Sequence, residues 1–130
     1  MKACLDTNAY SRLMKGHAPL TELLESAEEI LVPITVLGEL YAGFELGSRR
    51  DANRRQLREF LAQPGVETLA VTADIAERYG MLVAQLARQG TPIPTNDIWI
   101  AASALETGAR LVTYDPHFQH IQGLLVLGPS

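Results

Sequence analysis

Short apolar runs alternate with longer stretches of helical character along the whole of this chain, and that alternation narrows the possible folds more than any other feature. It points to a layered α/β fold around a mostly parallel sheet, because each strand is followed by a stretch long enough to cross back over the sheet. Strands are expected over residues 2–5, 30–32, 66–71, 111–113 and 124–127. Helices are expected over 9–14, 19–27, from Thr35 to about 46, and over 51–62, 73–87 and 97–107. Pro33 suits the first turn of the third helix, and Thr35 is placed to cap it. Thr72 is placed to cap the helix over 73–87, and Thr95 or Asn96 the one over 97–107. Gly47, Gly90 and Gly108 suit helix exits. The 130 residues read as one domain, 1–130, large enough to bury a core without disulfides.

Bulk properties exclude several classes. Cys4 is the only cysteine, so no internal disulfide forms; in its apolar run it reads as a small buried hydrophobe. No apolar run approaches the roughly 20 residues of a membrane span, and no apolar segment follows Met1-Lys2 as in a secretory leader. A cytoplasmic protein is the expectation. The net charge of −4, from 15 acidic and 11 basic residues, argues against a protein that coats nucleic acid. It argues less against an enzyme that meets nucleic acid through metal. Four metal-bound carboxylates would leave 11 acids against 11 bases.

The acids that matter are those placed by the expected elements. Asp6 directly follows the first strand, and Asp115 follows the strand over 111–113. Both stand where open parallel sheets form their ligand crevice. Asp97 opens a helix. Glu39 lies mid-helix, with Thr35, Val36, Ala42 and Gly43 as its three- and four-residue neighbours. That small, apolar company suggests a face turned inward, where a lone carboxylate is costly. Taken singly, Asp6 can be an N-cap, Asp97 a first-turn acid, Asp115 a turn residue and Glu39 a solvated helix position. Together they need neutralising, and no Lys or Arg adjoins Asp6, Glu39 or Asp97 in sequence. A hard divalent cation such as Mg²⁺ or Mn²⁺, which prefers oxygen ligands, is the natural counter-charge. Such a site activates water and stabilises a phosphodiester's transition state.

Four segments in order carry a family resemblance: Leu5-Asp6-Thr7-Asn8, Thr35-Val36-Leu37-Gly38-Glu39-Leu40, Asn96-Asp97-Ile98-Trp99-Ile100-Ala101-Ala102, and Leu111-Val112-Thr113-Tyr114-Asp115-Pro116-His117-Phe118. The chain resembles the PIN-domain nucleases over essentially its whole length, in particular the VapC-type toxins of toxin–antitoxin pairs. The resemblance implies a three-layer α/β/α sandwich. It implies endonucleolytic RNA cleavage dependent on Mg²⁺ or Mn²⁺, leaving 5′-phosphate and 3′-hydroxyl ends. A homodimer and a cognate antitoxin partner are also implied. Asp6, Glu39, Asp97 and Asp115 match the family's acidic positions, with Thr113 and Asn8 as supporting polar residues. Asp6, Glu39 and Asp97 are then expected to hold the principal metal, and Asp115 to place a second metal or orient the attacking water.

Other features have plainer readings. Arg49, Arg50, Arg54, Arg55 and Arg58 can bind RNA phosphates, or can form a solvated helix face with Asp51–Arg55 and Arg55–Glu59 pairs. His17, His117 and His120 match no zinc spacing and read as surface or loop residues. Trp99, Tyr41 and Phe44 read as packing, the last two alternatively as part of an antitoxin groove. Rival functions fit less well. A receiver domain needs a late Lys, but the last here is Lys15. An aspartate-nucleophile phosphatase would want a second Asp where Asn8 stands. An RNA-processing nuclease and a non-catalytic regulatory module on the same fold remain as alternatives, although all four acids are present.

Overall fold

The computed structural model describes residues 1–128; the last two of the domain's expected 130 residues lie outside the described residues. Along the chain run β1 (Lys2–Leu5), α1 (Thr7–Met14), α2 (Ala18–Glu25), β2 (Glu29–Pro33), α3 (Ile34–Leu46), α4 (Arg50–Leu61), β3 (Val66–Leu69), α5 (Ala73–Gln89), α6 (Thr95–Thr107), β4 (Arg110–Val112), a 3₁₀ helix (Pro116–His120) and β5 (Val126–Leu127). The five strands form one sheet in the order β3-β2-β1-β4-β5. Every pairing is parallel. The sheet is flanked by helices in the expected α/β/α arrangement.

β1 sits at the centre, and its Ala3, Cys4 and Leu5 are fully buried. A parallel strand covered on both faces has no wet side, so it reads as a continuous apolar run rather than an alternation. From β1 the chain moves outward through β2 to β3. It then crosses back, through α5 and α6, to β4 on the other side of β1. The order therefore reverses between β1 and β4, and a crevice opens beyond their carboxyl ends. The Asp6 N–H donates to the Val112 carbonyl (3.3 Å), carrying the β1–β4 ladder one residue into that crevice.

Thr72 caps α5 as expected, accepting from the Ile75 N–H at 3.2 Å. Gly90 and Gly108 end α5 and α6 at φ of 72° and 71°, a left-handed conformation that disfavours a Cβ. Two expected caps are displaced. Pro33 closes β2 and serves as N-cap of α3, so Thr35 falls inside the first turn, its Oγ1 buried and without a partner. Pro94 likewise precedes α6, and its carbonyl accepts from the Asp97 and Ile98 N–H groups at 3.1 and 3.2 Å, in place of a Thr95 or Asn96 side chain. Proline's fixed φ with an extended ψ already meets the backbone requirement of an N-cap. β3 ends at Leu69 rather than 71, because its partner β2 ends at Pro33, opposite Leu69.

Trp99 is packing, as expected: its ring stacks on Tyr79 at 3.9 Å and 12°, joining α6 to α5. Cys4 is wholly buried, and that burial pushes its thiol up to about 12. No helix among the described residues is long and apolar enough to cross a membrane. Leu111 is fully buried on β4, whereas Leu46 is 90% exposed at the end of α3. Leu111→Ala should therefore cost about 2–5 kcal/mol in urea unfolding. Leu46→Ala should stay within about 0.5 kcal/mol of wild type.

Candidate active site

Asp6 occupies the first position past β1 and caps α1. Its Oδ1 accepts from the Ala9 N–H at 2.8 Å, and its Oδ2 accepts a short hydrogen bond from Thr113 Oγ1. Thr113 Oγ1 in turn accepts from the Asp115 N–H at 3.0 Å. One hydroxyl thus joins the ends of β1 and β4 and sets two of the four acids relative to each other. Asp6 is an N-cap, and capping leaves it free to bind elsewhere, because each of its oxygens has a lone pair left beyond the bond it accepts.

The other acids come from separate elements. Glu39 lies in the second turn of α3 and accepts from Thr7 Oγ1 at 3.0 Å. It is only half-buried: of its three- and four-residue neighbours Val36 is buried and Thr35 half-buried, whereas Ala42 and Gly43 are exposed. The face expected to turn inward does so on one side only, and on the other it opens to the crevice. Asp97 stands in the first turn of α6. Asp115 caps the 3₁₀ helix, its Oδ1 accepting from the His117 N–H at 2.9 Å. Asp6, Glu39, Asp97 and Asp115 line one cleft, with Asn8, Asn96 and His117.

Some expectations change. Asn8 lines the cleft but makes no side-chain hydrogen bond to an acid among the described residues. His117, read from sequence as a surface or loop residue, is exposed as expected, but it also lines the cleft. Its Nδ1 lies 3.3 Å from Asp97 Oδ2 and 3.1 Å from Asp115 Oδ1. The available signal was Asp115-Pro116, a cap followed by a first-turn proline, which folds the second residue after the acid back over it. Thr7 was also missed as the partner of Glu39; nothing in its spacing distinguishes it from an ordinary first-turn residue. In the arginine stretch, the Asp51–Arg55 and Arg55–Glu59 pairs are absent among the described residues. Glu45 is the partner instead, 3.1 Å from Arg50 and 3.8 Å from Arg54, and Arg54 also lies 5.0 Å over the Tyr41 ring.

The electrostatics follow from crowding carboxylates into a partly dry crevice. Burial raises Asp6 above the usual carboxylate range, and the charges of Asp97 and Asp115 raise it further against the two hydrogen bonds it accepts. Asp97 is also raised, first by burial and then by Asp115, with His117 opposing. Such a set wants a cation. Ligand atoms of Asp97, Asp115 and His117 all fall within 4.8 Å of one another, and with Asp6 and Glu39 alongside the donor set suits a divalent ion.

A model of the PIN domain matches residues 3–124, and the chain belongs to that family. Within it, the similarity runs to the VapC ribonucleases. The chain is 32% identical to Ribonuclease VapC1 of Haemophilus influenzae (strain R2866) over 126 residues, 92% of each chain. It is 29% identical to Ribonuclease VapC5 of Mycobacterium tuberculosis over 119 residues, 92% of this chain and 87% of the relative. Among solved structures, VapBC-1 from nontypeable Haemophilus influenzae is similar with a TM-score of 0.88, and VapBC2 from Rickettsia felis, bound to a DNA fragment from their promoter, with 0.87. Both are 28% identical and matched over 98% of each chain.

The raised acids have a consequence for stability. A carboxyl raised in the folded state stabilises the fold below its unfolded pKa, and that stabilisation is lost as pH rises through the folded value. In chelator, the contribution of Asp6 and Asp97 to wild-type stability should therefore be lost as pH rises from about 4, the unfolded carboxyl value, toward neutrality. Asp97→Asn should melt above wild type at the upper end of that range, the gap closing toward the lower. Thermal melts of the metal-free pair across the range check this, and divalent cation should stabilise wild type more than the variant.

Proposed function

We propose that this protein is a divalent-metal-dependent endoribonuclease, the toxin of a toxin–antitoxin pair. It works in the cytoplasm as a homodimer, silenced by a cognate antitoxin. The observation that carries the reading is the convergence of Asp6, Glu39, Asp97 and Asp115 on one cleft at the sheet's reversal point. It is supported by similarity to the VapC ribonucleases over almost the whole chain, and by the VapBC complexes among the similar structures. The chain is read as a single PIN domain, with Mg²⁺ or Mn²⁺ as its cofactor.

Asp6, Glu39 and Asp97 would hold the principal ion, with Asp115 placing a second one or orienting water. When bound, the cation supplies a Lewis acid that neutralises phosphodiester charge and lowers the pKa of coordinated water. The chain's own contribution is rigidity and charge. Ala9 and Thr113 fix both oxygens of Asp6, and Thr7 fixes Glu39. The Asp115 loop is held by Thr113 on one side and by its own 3₁₀ helix on the other. Buried Phe118 anchors that helix in the core. Carboxylates held this way lose little freedom on taking up a cation, which is how a positioned site gains its rate.

Removing one acid should abolish turnover without unfolding the chain. Asp6→Asn and Asp97→Asn should each cut RNA cleavage by at least about 100-fold in Mg²⁺ and in Mn²⁺, on the scale expected for loss of metal chemistry. Full activity in both variants would remove these residues from the site. The exposed arginines test the substrate side. Replacing Arg49, Arg55 and Arg58 with Ala should flatten the salt dependence of RNA binding by about 0.7 in log–log slope for each phosphate no longer neutralised. An unchanged slope assigns the stretch to a solvated helix face.

A further inference from the structure

The four acids account for an oxygen-only site, yet the cleft presents one donor of another kind. His117 Nδ1 lies 3.1 Å from Asp115 Oδ1 and 3.3 Å from Asp97 Oδ2. Neighbouring donors about 2.1 Å from an octahedral ion stand about 3 Å apart. Both separations suit adjacent corners of one coordination sphere, and ligand atoms from the three residues all fall within 4.8 Å of each other. The backbone builds this without help from afar. Asp115 accepts from the His117 N–H at 2.9 Å, which closes the turn, and Pro116 between them has its φ fixed. Asp115-Pro116-His117 is thus a preformed oxygen–nitrogen pair, and Asp97 completes it from α6.

We infer that His117 is a metal ligand, and that its nitrogen makes this nuclease favour Mn²⁺ over Mg²⁺. The inference rests on the proposed metal-dependent site. Imidazole binds first-row transition ions readily, whereas Mg²⁺ takes oxygen and keeps its waters. A histidine in an otherwise carboxylate site therefore separates two ions that four carboxylates alone would treat more alike. Without the ion, the same nitrogen bridges Asp97 and Asp115, which keeps their carboxylates together.

Pulsed electron paramagnetic resonance of Mn²⁺-loaded wild type and His117→Gln, with calorimetric titration of Mn²⁺ and Mg²⁺ into both, tests this. The expected result is nitrogen modulation of the Mn²⁺ signal in wild type that His117→Gln abolishes. In that variant the Kd for Mn²⁺ should rise at least about tenfold, and the Kd for Mg²⁺ less than about threefold. Mn²⁺ that binds in an Asp97-dependent manner without nitrogen modulation in wild type overturns the role of His117 and leaves the acid site standing. Modulation that survives His117→Gln overturns it as well, since the nitrogen is then another residue's. Failure of wild type to take up either ion in an Asp97-dependent manner overturns the metal site itself.

Discussion

Two strands that are far apart in sequence meet at one hydroxyl. Thr113 Oγ1 donates to Asp6 Oδ2 across the β1–β4 seam and accepts from the Asp115 N–H. The sheet reverses its order at this seam, and the crevice opens there. The backbone ladder holds β1 and β4 in register up to Asp6, and the side chains extend that hold one step further into the crevice. Thr113 is 2% exposed and Asp6 4%, so the bond between them is made out of water, where it is geometrically demanding and costly to leave unmade; the bond from the Asp115 N–H is only part-buried. The acid that caps α1, the loop that carries Asp115 and the first turn of the 3₁₀ helix all take their positions from this junction. Glu39 and Asp97 are then added from helices whose starts are set by Pro33 and Pro94.

This arrangement trades stability for function. Burial and mutual repulsion disfavour the charged forms of Asp6 and Asp97, yet the surrounding bonds hold them together. The cost is local. The elements that carry the acids are anchored in the core, with Ala9 on α1 and Ile98 and Ile100 on α6 buried. A rigid apolar backing lets charged groups stand close without the chain relaxing to separate them. His117 opposes part of this cost at Asp97 from within the protein, and the proposed cation would supply the rest.

Much of this was legible in the residues. Among the described residues, the order of the five strands and six α-helices follows from apolar periodicity, although β5 covers only Val126–Leu127 of the expected 124–127. Asp6 and Asp115 could be located because a strand end is a chain position readable from pattern alone. What escaped was whatever depends on a neighbour remote in sequence or on loop geometry. Thr7 meets Glu39 across 32 residues, and His117 meets Asp97 across 20. Thr35 looked like a cap because hydroxyls often are, but a proline immediately upstream already supplied the turn. The arginine pairing failed for a related reason. Helical spacing marks Asp51 and Glu59 as partners, but Glu45 on the preceding helix reaches Arg50 and Arg54 first, because the α3–α4 turn folds one helix end onto the next.

Cys4 carries a practical consequence. Its thiol is wholly enclosed between the helical layers, and burial holds it in the protonated, unreactive form at neutral pH. Reagents that attack thiolates should pass over it in the folded protein. The wild-type chain is then already a silent background for attachment chemistry. A cysteine introduced on the exposed side of α4 or at the rim of the cleft would take a fluorophore or spin label alone, and distances between such labels could follow the cleft through substrate and partner binding without any residue being removed first.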